Sequence, residues 1–212
     1  MAAPSFDKNF LAHFEELLVW RRDIRHFETR PLEAGVIEEL LSLASLAPSV
    51  GNSQPWRFVR VITPELRSQV IAHVDEQNIS AAKVYETDLQ LAYSKLKLHG
   101  LNEAPEHLAV FCDPSPKEGA GLGRQTMPET LNYSTVLAIH TLWLAARARG
   151  IGLGWVSILK PKIFTQLLSV SPDWRFVGYL CLGYPREEHA IPELARAGWQ
   201  SRIDTKQTTF ER

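Results

Sequence analysis

Five residues, Arg21-Arg22-Asp23-Ile24-Arg25, set three fixed positive charges and one carboxylate side by side in a chain of 212 residues whose formal net charge is only −1. Guanidinium groups keep their protons at ordinary pH and grip phosphate bidentately through a planar fork. Such a cluster reads either as a phosphate clamp or as a solvated basic helix end, favoured by the helix dipole; the pentapeptide alone favours the second. A further stretch shifts the balance: Ala47-Pro48-Ser49-Val50-Gly51-Asn52-Ser53-Gln54-Pro55-Trp56. Asn52 and Gln54 offer donor and acceptor pairs suited to the nitrogens and carbonyls of a flat polar heterocycle, and Ser49 adds a hydroxyl. Gly51 permits close backbone approach, whereas Trp56 reads as a core anchor. In Gly150-Ile151-Gly152-Leu153-Gly154, followed by Ser157, the alternating glycines either let backbone reach a ring or make a tight helix-to-strand turn. Arg202 either completes a phosphate clamp or stands in solvent.

Other chemistries find no support. The seven histidines show no His-x-x-x-His pairing and there is no Cys-x-x-Cys, so no metal site is expected. Neither a Gly-x-Ser-x-Gly elbow nor a phosphate-binding Gly-x-x-x-x-Gly-Lys-Ser/Thr loop occurs. Gly119, Gly121 and Gly123 precede no helix closely enough for a dinucleotide fingerprint. A pI near 6.7 argues against nucleic acid or an anionic membrane as the main partner. Cys112 and Cys181 lie in apolar runs and read as buried, reduced thiols of a cytoplasmic protein. No secretory signal is evident at the N-terminus, and the most apolar segment, 136–146, is too short to span a membrane.

The elements that must position these residues follow from periodicity. Phe6, Phe10, Phe14, Leu17 and Leu18 predict an amphipathic helix over residues 6–20 that delivers the arginines at its end. Val36 to Leu43 predicts a second helix stopped by Pro48, and 56–62 a strand. Thr63-Pro64 predicts a capped helix start, with helix continuing to Leu101 across a break near 78–80. Residues 107–112 read as a strand and 113–128 as a long loop. Residues 129–149 form a helix apolar on most faces, which belongs in a core or a subunit interface. Short strands are expected at 155–159 and 176–182, with a short helix opening at Lys160-Pro161. The tail after Pro185 carries Trp199, Arg202 and Phe210 without a core of its own, so it is expected to pack on something else, a partner subunit being one choice. Strands alternating with helices indicate an α/β or α+β layered domain, taken as one unit over 1–212.

Taken together, the arginine cluster and the Pro48–Trp56 stretch resemble the flavin-binding motifs of the nitroreductase superfamily. Asp23, Gly154-Trp155-Val156-Ser157 and Pro192-Glu193-Leu194-Ala195-Arg196-Ala197-Gly198-Trp199 resemble its flavin-consuming branch, the 5,6-dimethylbenzimidazole synthases. The resemblance implies an α+β fold, a three-layer α/β/α sandwich around a mostly antiparallel sheet. It also implies oxygen-dependent fragmentation of FMNH₂ to 5,6-dimethylbenzimidazole and erythrose 4-phosphate, supplying the lower ligand of cobalamin. FMN would then be a consumed substrate, reduced by a separate flavin reductase, in a homodimer with flavin at the interface. Where related enzymes typically carry serine, Asp23 stands, and the resemblance gives it proton-handling work with Ser157 assisting. Arg21, Arg22 and Arg25 would hold phosphate and ribityl hydroxyls, Ser49, Gly51 and Gln54 the ring, and Leu98 would belong to the flavin-covering segment. The rivals are an NAD(P)H-dependent nitroreductase or cobalt-corrinoid reductase on the same fold, and a non-enzymatic flavin binder.

Overall fold

Among the described residues four strands form one sheet, and every neighbouring pair is antiparallel. The computed structural model describes residues 3–211. The strands are β1 (Trp56–Arg60), β2 (Glu106–Cys112), β3 (Gly152–Val156) and β4 (Arg175–Gly183), and their order across the sheet is β1-β2-β4-β3. Their alternating side chains feed two cores, because successive residues of a strand face opposite ways. On one face Ala109, Phe111, Tyr179 and Cys181 pack beneath α3 (Pro64–Ala82) and α6 (Pro161–Leu167). On the other, Leu108, Val110, Leu180 and Leu182 pack beneath α2 (Val36–Ala44) and α5 (Thr130–Arg147). The result is the expected α/β/α sandwich.

Helix α1 (Lys8–Trp20) starts where Asp7 caps the amide of Phe10, and it buries no residue within this chain. Phe6, Phe10, Leu11, Phe14, Leu18, Val19 and Trp20 are all at least 39% exposed. Helix α5 is apolar on two sides: Ala138, Ile139 and Leu142 are buried against the sheet, while Tyr133, Val136 and Leu137 face outward.

Several sequence expectations are corrected. Thr63 is the N-cap of α3 but its hydroxyl makes no capping hydrogen bond. The expected break at 78–80 falls inside α3, where Asn78 accepts a hydrogen bond from Tyr93 Oη at 2.7 Å; the helix stops after Ala82 and resumes as α4 (Thr87–Ser94). The third strand begins at Gly152 rather than Trp155. Within the tail, α7 (Glu193–Arg196) leads to Trp199, which packs edge-on against Tyr85 and Tyr93 of the same chain. Cys112 and Cys181 are buried and unpaired. Among the described residues no helix is long and apolar enough to cross a membrane.

Candidate active site

The chain leaves α1 at Arg21, which turns to an extended conformation, and the next residues run alongside β3. Asp23 bridges Leu153 in parallel register and the Ile24 amide donates to the Leu153 carbonyl at 3.0 Å. The strand can come this close only because β3 carries glycine. A Cβ on Gly154 would stand 2.1 Å from the Ile24 carbonyl oxygen, and one on Gly152 would stand 2.8 Å from Ile24 Cγ1. These two glycines serve a strand-to-strand approach.

The approach fixes Asp23. Its Oδ1 accepts from the Trp155 amide at 2.8 Å, and Oδ2 accepts from Arg25 Nε at 2.9 Å. Burial raises the Asp23 pKa above the ordinary aspartate value, while Arg25 and the Trp155 amide pull it back without cancelling the effect. The side chain is nonetheless 31% exposed: protein surrounds the carboxylate on most sides, and one side opens on a crevice shared with His26 and Glu193. Ser157 lies two residues beyond Trp155, about 7 Å along the strand direction. It is exposed, and its hydroxyl has no hydrogen-bond partner among the described residues.

The arginines divide their work. Arg25 is spent within the protein, on Asp23 and on the Lys97 carbonyl at 3.1 Å, and so docks the segment bearing Leu98 next to Asp23. Arg22 donates to the carbonyls of Ala190 and Arg21. Arg21 lies over the ring of Trp143, 4.7 Å from its centroid. The Arg21 pKa is lowered by burial first, with Asp23 opposing and Arg202 adding; that of Arg22 is lowered by burial, then by Arg202 and Arg21. Arg21, Arg22 and Arg202 therefore repel one another, and Arg22 and Arg202 line an open, largely apolar cavity together with Leu18 and Ile191. An anion there would relieve all three.

Ser49, Gly51 and Gln54 stand elsewhere. Ser49 Oγ accepts from the Gln54 amide at 3.1 Å and closes a tight loop in which Gly51, Asn52 and Gln54 all have positive φ. The loop is anchored where the Val50 amide donates to Ser134 Oγ at 3.0 Å, near the start of α5. The arginine strand is anchored near the other end of that helix, where Trp143 Nε1 donates to the Arg22 carbonyl at 3.2 Å. The two anchors are nine positions apart on the helix, about 13 Å along the axis. Gly51 also interlocks with Gly119 of the long loop, since a Cβ on Gly119 would meet the Gly51 carbonyl oxygen at 2.5 Å. Within one chain the polar loop and the arginine cluster are thus anchored at separate points along α5.

Sequence reasoning missed Trp143, read only as part of an apolar helix. A half-buried indole N–H normally has a partner, and that requirement was the available signal. It also missed the His26–Glu193 contact, at 3.3 Å, which joins the arginine strand to α7.

The model of the nitroreductase family matches residues 18–184. The chain belongs to the nitroreductase family. Within that family it is 55% identical over 199 residues to the 5,6-dimethylbenzimidazole synthase of Rhodospirillum rubrum, covering 94% of each chain. It is 46% identical over 202 residues to a 5,6-dimethylbenzimidazole synthase of Rhodobacter capsulatus, covering 95% of this chain and 98% of the relative. A crystal structure of iodotyrosine deiodinase bound to FMN and 3-iodo-L-tyrosine shares the nitroreductase fold, with a TM-score of 0.70 at 24% identity over 82% of this chain and 91% of that one.

Proposed function

We propose that the protein is a 5,6-dimethylbenzimidazole synthase that consumes reduced FMN and oxygen, with Asp23 as its proton-handling group. The observation that carries this reading is the Asp23 carboxylate, pinned by Trp155 and Arg25 and yet holding its proton more tightly than an ordinary aspartate. A structural anchor gains nothing from raised proton affinity, whereas a base gains reactivity as its pKa approaches the working pH, and well-placed acid–base groups contribute about 10²–10⁴-fold in rate.

The residues suit a flavin mononucleotide. Arg21, Arg22 and Arg202, crowded and mutually repelling, would hold the phosphate. Asp23 would face the ribityl arm with Leu98 alongside, and Ser49, Gly51 and Gln54 would meet the ring edge. Reduced FMN supplies the electrons that activate oxygen and the ribityl carbon that joins the new imidazole ring. Asp23 takes protons from the arm as it is oxidised and cut, and the unpartnered Ser157 hydroxyl orients groups near the ring. Because one chain anchors the two apart, the reading includes a homodimer in which each arginine cluster faces the partner's polar loop. The exposed apolar faces of α1 and α5 are the surfaces that two copies would bury. Reduction of the flavin is left to a separate reductase.

The test supplies FMNH₂ in air and measures 5,6-dimethylbenzimidazole by chromatography. Asp23→Asn should bind FMN and form no product; full product yield from that variant refutes the assignment. Catalytic NADH oxidation with flavin retained intact would instead favour a conventional nitroreductase.

A further inference from the structure

The crevice behind Asp23 holds ionisable side chains that the proposed chemistry does not use. Trp155 and Arg25 occupy the carboxylate from the β3 side and from its own strand. The open side faces His26, Glu187, His189, Glu193 and Arg196. Glu193 is close enough for its negative charge to add to the rise in Asp23's pKa, after burial. Glu193 Oε1 also lies 3.3 Å from His26 Nε2, and beyond them the more exposed Glu187 contacts His189 at 3.2 Å and Arg196 at 3.7 Å. The remaining groups near Asp23 are Arg21 and Arg22, which stay charged, and Cys181, whose thiol is kept protonated by complete burial.

We infer that Glu193 and His26 form the exit by which Asp23 sheds the protons it collects. The inference rests on the reading of Asp23 as a base. A base that takes a proton in each turnover must lose it before the next; with Trp155 and Arg25 each holding one carboxylate oxygen, the side left open to Asp23 is this crevice. In each cycle one proton leaves Asp23 across the crevice, directly or through a water molecule, to the Glu193 carboxylate. It passes to His26 and then to solvent, so that only O–H and N–H bonds change and all three groups return to their starting state. Histidine suits the outer position because its ring has two nitrogens, one able to take a proton while the other gives one up. Glu193 and His26 touch neither substrate nor reacting atoms; they are proton-transfer and positioning residues.

The experiment uses the full chain with excess FMNH₂ in oxygenated buffer, comparing Glu193→Gln, His26→Asn and Asp23→Asn. In dilute non-exchanging buffer, Glu193→Gln and His26→Asn should each slow product formation about tenfold or more, a small part of the usual acid–base contribution. Added imidazole should restore most of the rate, and FMN affinity should match that of the wild type. Glu193→Gln should also move the acid limb of the pH–rate profile downward, because a negative charge beside Asp23 is gone. Wild-type rates for both variants in dilute buffer overturn the relay, as does a loss that imidazole cannot rescue and that follows FMN affinity. Full product from Asp23→Asn would instead remove the base assignment, which separates the two failures.

Discussion

A single methyl group on β3 should disable the site without touching any residue that binds or reacts. At Gly154 a Cβ would lie 2.1 Å from the Ile24 carbonyl oxygen, a backbone atom that cannot rotate away. Gly154→Ala must therefore push the Asp23–Ile24 strand off β3, breaking the Ile24–Leu153 backbone bond and the Trp155–Asp23 bond. Overpacking costs about 1–3 kcal/mol and each lost hydrogen bond about 1 kcal/mol. A loss of about 3–5 kcal/mol of stability follows, against a usual total of about 5–15 kcal/mol. If recovering the attached strand costs about 3 kcal/mol, FMN affinity falls about 100-fold.

Two neighbours provide internal controls. At Gly152 the added Cβ meets the side chain of Ile24 at 2.8 Å and beyond, and a side chain can repack. Gly152→Ala should thus cost about 1–2 kcal/mol, with a modest effect on the flavin. At Gly150 nothing lies within 4 Å, but φ is +68°; Gly150→Ala should cost about 1–2 kcal/mol of backbone strain and leave FMN binding intact. Thermal unfolding and flavin-fluorescence titration of the three variants decide the matter. FMN binding by Gly154→Ala within about threefold of wild type, or no worse than by Gly152→Ala, refutes the claim that close strand approach builds the site.

Trp143→Phe removes the indole donor to Arg22 while keeping a ring beneath Arg21; it should cost about 1 kcal/mol of stability and weaken FMN binding several-fold, read by isothermal titration. His107, buried with Nδ1 3.1 Å from Tyr179 Oη, has its pKa lowered by burial from 6.5 to about 4. The unfolded chain protonates this histidine first, so its contribution is complete above pH 6.5 and is lost as pH falls towards 4, a drop of about 3 kcal/mol. Denaturant melts across this range should show that slope in the wild type and not in His107→Phe. Phe10→Glu changes an exposed residue of α1, so the folded chain should persist while size-exclusion chromatography shows a monomer with poor flavin affinity; an intact dimer would overturn the assignment of that face.

What the sequence revealed was what is local. Phe10, Phe14 and Leu17 announce α1 because helical period is written in neighbours three and four apart, and the arginine cluster is legible because five adjacent residues carry it. The purpose of Gly152 and Gly154 was hidden, since the strand they accommodate lies some 130 positions earlier in the chain. The same holds for Trp199, whose partners Tyr85 and Tyr93 are brought to it by the fold. Thr63 has the residue type of a capping side chain but not the bond, because type gives a capacity and tertiary packing decides its use. Ser49 and Gln54 read as partners of the arginines by residue type and by resemblance; within one chain their loop is anchored at Ser134 of α5 and the arginine strand at Trp143.

The position of Asp23 argues for chemistry beyond anchoring. A serine there could take the Trp155 amide or meet Arg25, but one hydroxyl oxygen could not hold both in the observed arrangement. A carboxylate holds both with one oxygen each, and since each oxygen has two acceptor sites, it keeps lone pairs for a third partner. Were the anchor the whole purpose, Arg25 would win and the carboxyl would titrate below an ordinary aspartate, as in most ion pairs. Instead burial wins, helped by Glu193, which sits nearby where a neutral residue would have eased the strain. A carboxylate held by a salt bridge and a backbone hydrogen bond, with its pKa still raised by burial, fits the proton-accepting role proposed for Asp23.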